Sequence, residues 1–168
     1  MLKPSGSINR KGDIGKEVAQ SLRYSCLKRS EIPELVRLSR ENMAQIIMSA
    51  WGVEWKDETL LETLLDDGLL TEVAHQDDRI VGYYVLDQRG DYAFVEVLQV
   101  AKEFQGQGLG RKMMDRIEEF TARSGLEGVE LCVQSTNDKA IAFYESLGYR
   151  YVSRERNNLL FRKTMATE

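Results

Sequence analysis

The sequence holds one histidine, His75, and two cysteines, Cys26 and Cys132, in 168 residues. A lone histidine excludes a His-rich metal site and a catalytic histidine network. Two cysteines so far apart carry neither zinc-binding spacing nor a disulfide framework. No metal is therefore expected, and the thiols point to a reducing compartment, the cytoplasm. Cys132 reads as a small buried residue rather than a nucleophile. Long apolar runs are missing as well. Every run is interrupted within a few residues, so none approaches the ~20 needed to span a bilayer, and none has the form of an export signal. A basic excess is also absent: the net charge of -4 argues against a partner nucleic acid held on a basic face.

What is present is a globular composition. With 42% hydrophobic and 30% charged residues the chain is too apolar for disorder and long enough for one packed domain. Residues 1–20 differ from the rest: Gly6, Gly12 and Gly15 stand among polar residues, with isolated Ile8, Ile14 and Val18. They read as a mobile N-terminal extension to a domain spanning residues 21–168. Leu22, Tyr24 and Cys26 alternate with polar neighbours and predict a first strand. Ser30 before Glu31 and Ile32 is an N-cap signal, and Pro33 is tolerated in a first helical turn. Leu35, Leu38, Met43 and Ile46 continue that helix, with a break allowed near Asn42. A second helix follows Asp57, turning Leu60, Leu61, Leu64 and Leu65 inward until Gly68, with Asp66 and Asp67 as its solvated end. Strands follow at Leu70–His75, Ile80–Leu86 and Tyr92–Val100, joined by turns short enough for hairpins. His75, at a strand end without a histidine partner, reads as structural or solvated. The order then changes to helix, strand, helix, strand, strand over Gly108–Ser124, Val129–Gln134, Asn137–Leu147, Tyr149–Ser153 and Asn158–Thr164. Hairpins followed by a helical crossover predict an α/β (α+β) domain, a mixed and mostly antiparallel sheet flanked by helices.

The most informative stretch is Val97-Leu98-Gln99-Val100-Ala101-Lys102-Glu103-Phe104-Gln105-Gly106-Gln107-Gly108-Leu109-Gly110-Arg111. A strand enters a glycine-rich turn, and a helix leaves it with Leu109, Met113, Met114, Ile117 and Phe120 on one face. The first N–H groups of a helix lack intrahelical partners and carry about +0.5 charge of macrodipole. Glycines let a ligand approach them closely, which makes an anion site, most often for phosphate. Arg111 and Lys112 in the first turn disfavour an empty helix by ~0.3–1 kcal/mol each, and a bound pyrophosphate reverses that sign. A phosphate-binding loop would continue Gly-Lys with Ser or Thr, and a dinucleotide fingerprint would read G-x-G-x-x-G; the sequence matches neither. Glu130, spaced like a ribose-binding acid, begins its strand rather than ending it. A nucleotide-phosphate binder would be stabilised by ATP or NAD.

The segment Gln105-Gly106-Gln107-Gly108-Leu109-Gly110 resembles the Q/R-x-x-G-x-G/A motif of the GNAT superfamily of acetyl-CoA-dependent N-acetyltransferases. Its companions are similar too: the Leu98-x-Val100 strand end, Asn137 before the next helix, and Ala142-Phe143-Tyr144-Glu145-Ser146-Leu147-Gly148-Tyr149. The close resemblance covers Tyr92 to Tyr151, with a looser one from Leu22 to Thr164. It implies a GNAT fold whose central parallel strands, here Tyr92–Val100 and Val129–Gln134, splay apart around acetyl-CoA. Backbone groups of Leu98 and Val100 would pair with the pantetheine arm as an added strand does. Amides of Gln105, Gly106, Gln107, Gly108, Leu109, Gly110 and Arg111 would hold the pyrophosphate. Asn137 would contact pantetheine and can also cap its helix.

Tyr144 matches the tyrosine that protonates the departing thiolate in many members. A phenol of pKa ~10 can donate to a thiolate whose acid lies near ~8.5. Its other reading is core, in the stripe Ala140, Phe143, Tyr144 and Leu147, and it also counts among the residues against the cofactor. A lysine-like amine, pKa ~10.4, is almost wholly protonated at pH 7 and needs a base. Glu96 matches a glutamate used through water in polyamine-acetylating relatives; its other reading is a strand salt bridge. The ribosomal-protein N-terminal acetyltransferases carry their glutamate on the next strand, where Cys132 stands. Trp51 and Trp55 lie where the family lines its acceptor site, and core packing explains them equally. The implied reaction is direct acetyl transfer to a primary amine of a small molecule, peptide N-terminus or protein lysine. The alternative is a non-catalytic acyl-CoA-binding regulatory module. Many relatives are homodimers, and membrane and nucleic-acid partners are not expected.

Overall fold

Strands and helices alternate along residues 22–166, the part of the chain that the computed structural model describes. The extension expected over residues 1–20 lies outside the described residues. First come β1 (Arg23–Cys26), α1 (Ile32–Trp51) and α2 (Asp57–Leu64). They are followed by β2 (Leu70–Gln76), β3 (Arg79–Arg89), β4 (Tyr92–Val100), α3 (Leu109–Arg123), β5 (Gly128–Gln134), α4 (Asp138–Ser146), β6 (Arg150–Glu155) and β7 (Asn158–Thr164). Asp77 and Gly90, with φ of 53° and 59°, supply the left-handed residues of the two hairpin turns. The sheet order is β1-β2-β3-β4-β5-β7-β6. Among the described strands only β4 and β5 run parallel, because α3 carries the chain back across the sheet between them.

Each face of the sheet has its own core. On one face α1 and α2 bury Leu35, Leu38, Leu60 and Leu64 against Val73, Tyr83 and Val85. On the other, Met113, Met114 and Ile117 of α3 pack against Ala74, Val81, Leu131, Val133 and Phe161. Each fully buried Val, Leu, Ile, Met or Phe side chain among them contributes about 1.5–3 kcal/mol.

Local expectations gave way where a hydrogen bond outweighed periodicity. Ser30 does not cap α1. It lies inside a single 3-10 turn, Arg29–Glu31, with no side-chain cap at the start of α1. The carboxylate of Glu31 accepts instead from Lys28 N–H and from His75 Nε2, both at 2.9 Å. His75 is thus buried and structural rather than solvated. α1 is also unbroken at Asn42, whose side chain finds partners on β4 and leaves its own helical backbone alone. Leu65 is 52% exposed rather than inward. α2 ends at Leu64, and the Asp66 side chain accepts from Gly68 N–H at 2.8 Å to form a turn. On α3 the buried face runs Leu109, Met113, Ile117, Thr121, four residues apart, so Phe120 is exposed. Thr121 is tolerated there because its hydroxyl donates to the Ile117 carbonyl at 2.7 Å.

Candidate active site

The parallel pair β4–β5 is in register only over Tyr92–Val95 and Gly128–Leu131. One residue further, the pairing of β4 with β3 shifts: Val95 faces Leu86 and Val97 faces Val85, leaving Glu96 as an extra residue. Such a bulge bends and twists its strand. From there β4 parts from β5, whose Cys132, Val133 and Gln134 pair with β7 alone. Along the freed edge, Ala101 N–H donates to the Val81 carbonyl of β3 at 2.9 Å. The Val100 carbonyl therefore points the opposite way, into the cleft, and by the two-residue period of a strand the N–H and C=O of Leu98 do so too.

The glycine turn closes one end of this cleft. Gly106 and Gly108 have φ of 77° and 79°, which L side chains rarely adopt. α3 starts directly after Gly108 with no capping side chain and no acidic residue in its first turn. Lys112 N–H is bonded to the Gly108 carbonyl at 3.1 Å, so the three preceding helical N–H groups point out of the helix end. Gly110 serves differently: a Cβ there would lie 3.2 Å from Cζ of Phe143, so this glycine lets α3 and α4 approach. Leu109 is buried, and Gln107 is exposed and lines neither of the cavities described next.

Two cavities meet in the cleft. A groove of about 720 Å³ is bordered by Leu98, Val100, Gln105, Gly106, Gly108, Gly110 and Arg111, with Lys102 and Lys139 adding positive charge. A second cavity of about 570 Å³ lies between α1, α2 and the sheet, bordered by Met43, Ile47, Trp55, Glu96 and Cys132. Met43, Leu98, Gln99, Asn137, Ala140 and Tyr144 border both. The open strand edge, the uncapped helix start and the cations together fit a long ligand with an amide-bearing arm and phosphates, the chemistry of coenzyme A.

Tyr144 projects from α4 at this junction, its ring edge-on to Phe143 and Tyr149 with centroids 5.0 and 5.8 Å away. Burial alone pushes its phenol well above the usual tyrosine range, so the hydroxyl stays protonated at neutral pH. Both readings of Tyr144, as packing residue and as proton donor, are sterically compatible. Glu96, carried inward by the bulge, borders the second cavity and also pairs with Arg89 at 2.5 Å. Asn137 caps α4, its Oδ1 accepting from Ala140 N–H at 3.2 Å, while also bordering both cavities. Trp55 is brought to the second cavity, its indole N–H donating to Asp57 at 2.7 Å, whereas Trp51 borders neither cavity. Cys132 corrects the expectation of a buried residue. It is exposed in the opened part of β5, and partial desolvation pushes its thiol up, which keeps it a poor nucleophile.

Several site residues escaped the sequence reading. Arg89 pairs with Glu96 and stacks 3.5 Å over Phe94. Lys102 and Lys139 look like ordinary surface lysines. Asn42 was legible only as an amide interrupting an apolar helical face. Among the described residues, no group of three or more His, Cys, Asp or Glu could hold a metal ion, and no helix is long and apolar enough to cross a membrane.

The profile of the acetyltransferase (GNAT) family matches residues 40–149. The chain is 28% identical over 113 residues to the ribosomal-protein bS18 alanine N-acetyltransferase of Salmonella typhimurium, covering 67% of this chain and 76% of that protein. It is 31% identical over 153 residues to the mycothiol acetyltransferase of Kocuria rhizophila, covering 87% of this chain. The chain spans 46% of that mycothiol enzyme's length and 31% of the one from Clavibacter michiganensis. Among solved structures, PaiA N-acetyltransferase of Thermoplasma acidophilum, in complex with coenzyme A, superposes with a TM-score of 0.71 at 16% identity, over 86% of this chain and 99% of that one. The ribosomal-protein-S18-alanine N-acetyltransferase of Escherichia coli gives 0.69 at 21% identity, over 88% and 97%. These likenesses establish the fold.

Proposed function

Because the chain belongs to the GNAT acetyltransferase family, we propose that it transfers the acetyl group of acetyl-CoA directly to a primary amine. The observation that carries this reading is the meeting of two cavities at Tyr144, one with an anion-binding helix start and one with a carboxylate. Acetyl-CoA supplies a thioester carbon open to attack. The amine loses a proton to Glu96, through water, and its nitrogen forms the new C–N bond. The C–S bond breaks, and Tyr144 gives its proton to the departing thiolate. Leu98, Val100 and Asn137 hold the pantetheine arm. The backbone from Gln105 to Arg111 holds the pyrophosphate, and Trp55 faces the acceptor.

The relatives' names give a ribosomal-protein alanine and mycothiol; for this chain the acceptor class proposed is the primary amine common to small molecules and polypeptides. The two free thiols support the cytoplasm as its compartment. The test is release of CoA from acetyl-CoA, read with a thiol reagent across a panel of small amines and peptides. Amine-dependent release is the expected result. Tight CoA binding without release from any amine would leave a regulatory acyl-CoA-binding module.

A further inference from the structure

The middle of α1 is tied to the freed edge of β4 by side-chain amides. Asn42 Nδ2 donates to the Val100 carbonyl at 2.8 Å and to Gln99 Oε1 at 3.0 Å. Gln105 Nε2, from the glycine turn, donates to the same carbonyl at 3.0 Å and to Asn42 Oδ1 at 3.3 Å. A carbonyl oxygen has two lone pairs, and both are engaged here. α1 is also the wall shared by the two cavities, turning Ser39 and Ile47 to one and Asn42 and Ile46 to the other, with Met43 on both. Asn42 is therefore the fastening point of helix, strand edge and turn at once.

We propose that Asn42 is a positioning residue for the cofactor groove. Through the Val100 carbonyl and Gln105 it sets the spacing between α1 and the strand edge, so that the pantetheine arm meets a preformed groove. This rests on reading that groove as the CoA site. Since the amides occupy the Val100 carbonyl, the edge offers the arm the N–H and C=O of Leu98 and the N–H of Val100. A preformed groove spares the ligand the ordering cost of building it.

Asn42→Asp tests this with almost no change of shape. The carboxylate can only accept, so it faces the Val100 carbonyl acceptor to acceptor; once protonated, the acid donates as the amide did. CoA affinity is measured by calorimetry on the full chain at about pH 8 and about pH 5, together with the acetyl-CoA KM. The charged groups bordering the groove around residue 42, namely Glu41, Lys102, Arg111 and Lys139, are common to both proteins, so each comparison is made with wild type at the same pH. CoA is expected to bind about tenfold more weakly to Asn42→Asp at pH 8, with the acetyl-CoA KM raised in parallel and a much smaller effect on kcat. The difference should narrow towards pH 5, as the carboxyl, whose ordinary pKa is ~3.9, begins to take up a proton against the facing carbonyl. Asn42→Ala, which loses the donor without gaining a charge, should be weakened at both pH values. Glu34→Gln, on α1 and bordering neither cavity, should keep the wild-type KM. Folded Asn42→Asp that binds CoA as wild type does at pH 8 overturns the inference. Tighter binding also overturns it, because the amides would then compete with the arm for the carbonyl. A defect that widens at low pH, where protonation can only restore the donor, overturns it as well. Wild-type protein that fails to bind CoA would instead remove the reading of the groove itself.

Discussion

The groove beside α3 and the cavity beneath α1 and α2 are neighbours that share six residues, yet they are built from different material. The groove is made of backbone: a freed strand edge, a turn of left-handed glycines and an uncapped helix start, contiguous from Leu98 to Arg111. The cavity is made of residues from α1, α2 and their connection, β3, β4, β5 and α4. Backbone sites tolerate most side-chain changes but few changes at glycine, whereas side-chain sites change their ligand with single substitutions. A common cofactor and divergent acceptors are the expected division of labour between them.

The largest expected effect falls on the residue common to both regions. Tyr144→Phe retains the ring packing against Phe143 and Tyr149 and should lower kcat by about 10²–10⁴, with little change in the acetyl-CoA KM. Because the phenol pKa is raised, wild-type turnover should show no loss from Tyr144 ionisation as pH rises through 10. A wild-type rate in the Phe variant would return Tyr144 to a packing role.

Next come the glycines, which divide the groove itself. Gly108→Val forces a β-branched residue to positive φ and should weaken CoA binding by about 10²-fold, while costing the fold only about 1–2 kcal/mol. Gly110→Val places atoms against the Phe143 ring and should cost mainly stability, about 1–3 kcal/mol as overpacking does. Thermal melts with CoA titrations check both; equal profiles for the two variants would erase the distinction.

On the acceptor side, Glu96→Gln should slow turnover about tenfold to a hundredfold near pH 7 and progressively less as pH rises and solvent supplies neutral amine. Tyr144→Phe should not be rescued in that way. Trp55→Ala should raise the amine KM roughly tenfold and leave CoA affinity unchanged, sharpening the boundary between the regions. The smallest effect concerns Cys132. Its raised pKa predicts slower alkylation by iodoacetamide than for a free thiol at pH 8, with the rate still climbing at pH values where a free thiol has levelled off. A bound amine should protect it more than CoA does.

The same contrast explains what could be read from the amino-acid order. Backbone devices leave local marks. Gly106 and Gly108 stand where the chain needs positive φ, and the hairpins and the β–α–β crossover follow from turns and periodicities within a few residues. The side-chain cavity leaves no such mark. Asn42 meets Val100, and Arg89 meets Glu96, only because a particular register brings them together. The bulge is likewise invisible in a strand that reads Phe94-Val95-Glu96-Val97-Leu98 with nothing to show which residue is extra. Cys132 read as buried because free cysteines usually are; it is exposed, beyond the last residue of β5 that pairs with β4 and at the border of the second cavity.

That single extra residue at Glu96 also leaves the molecule unfinished. A sheet whose middle strands part halfway exposes donors and acceptors that water meets less well than a strand would, and bare edges invite pairing with other chains. A ligand that fills such a gap and binds the folded form adds to its stability. At a hundredfold excess over Kd the added stability is about 2.7 kcal/mol, comparable to the loss of a buried leucine side chain.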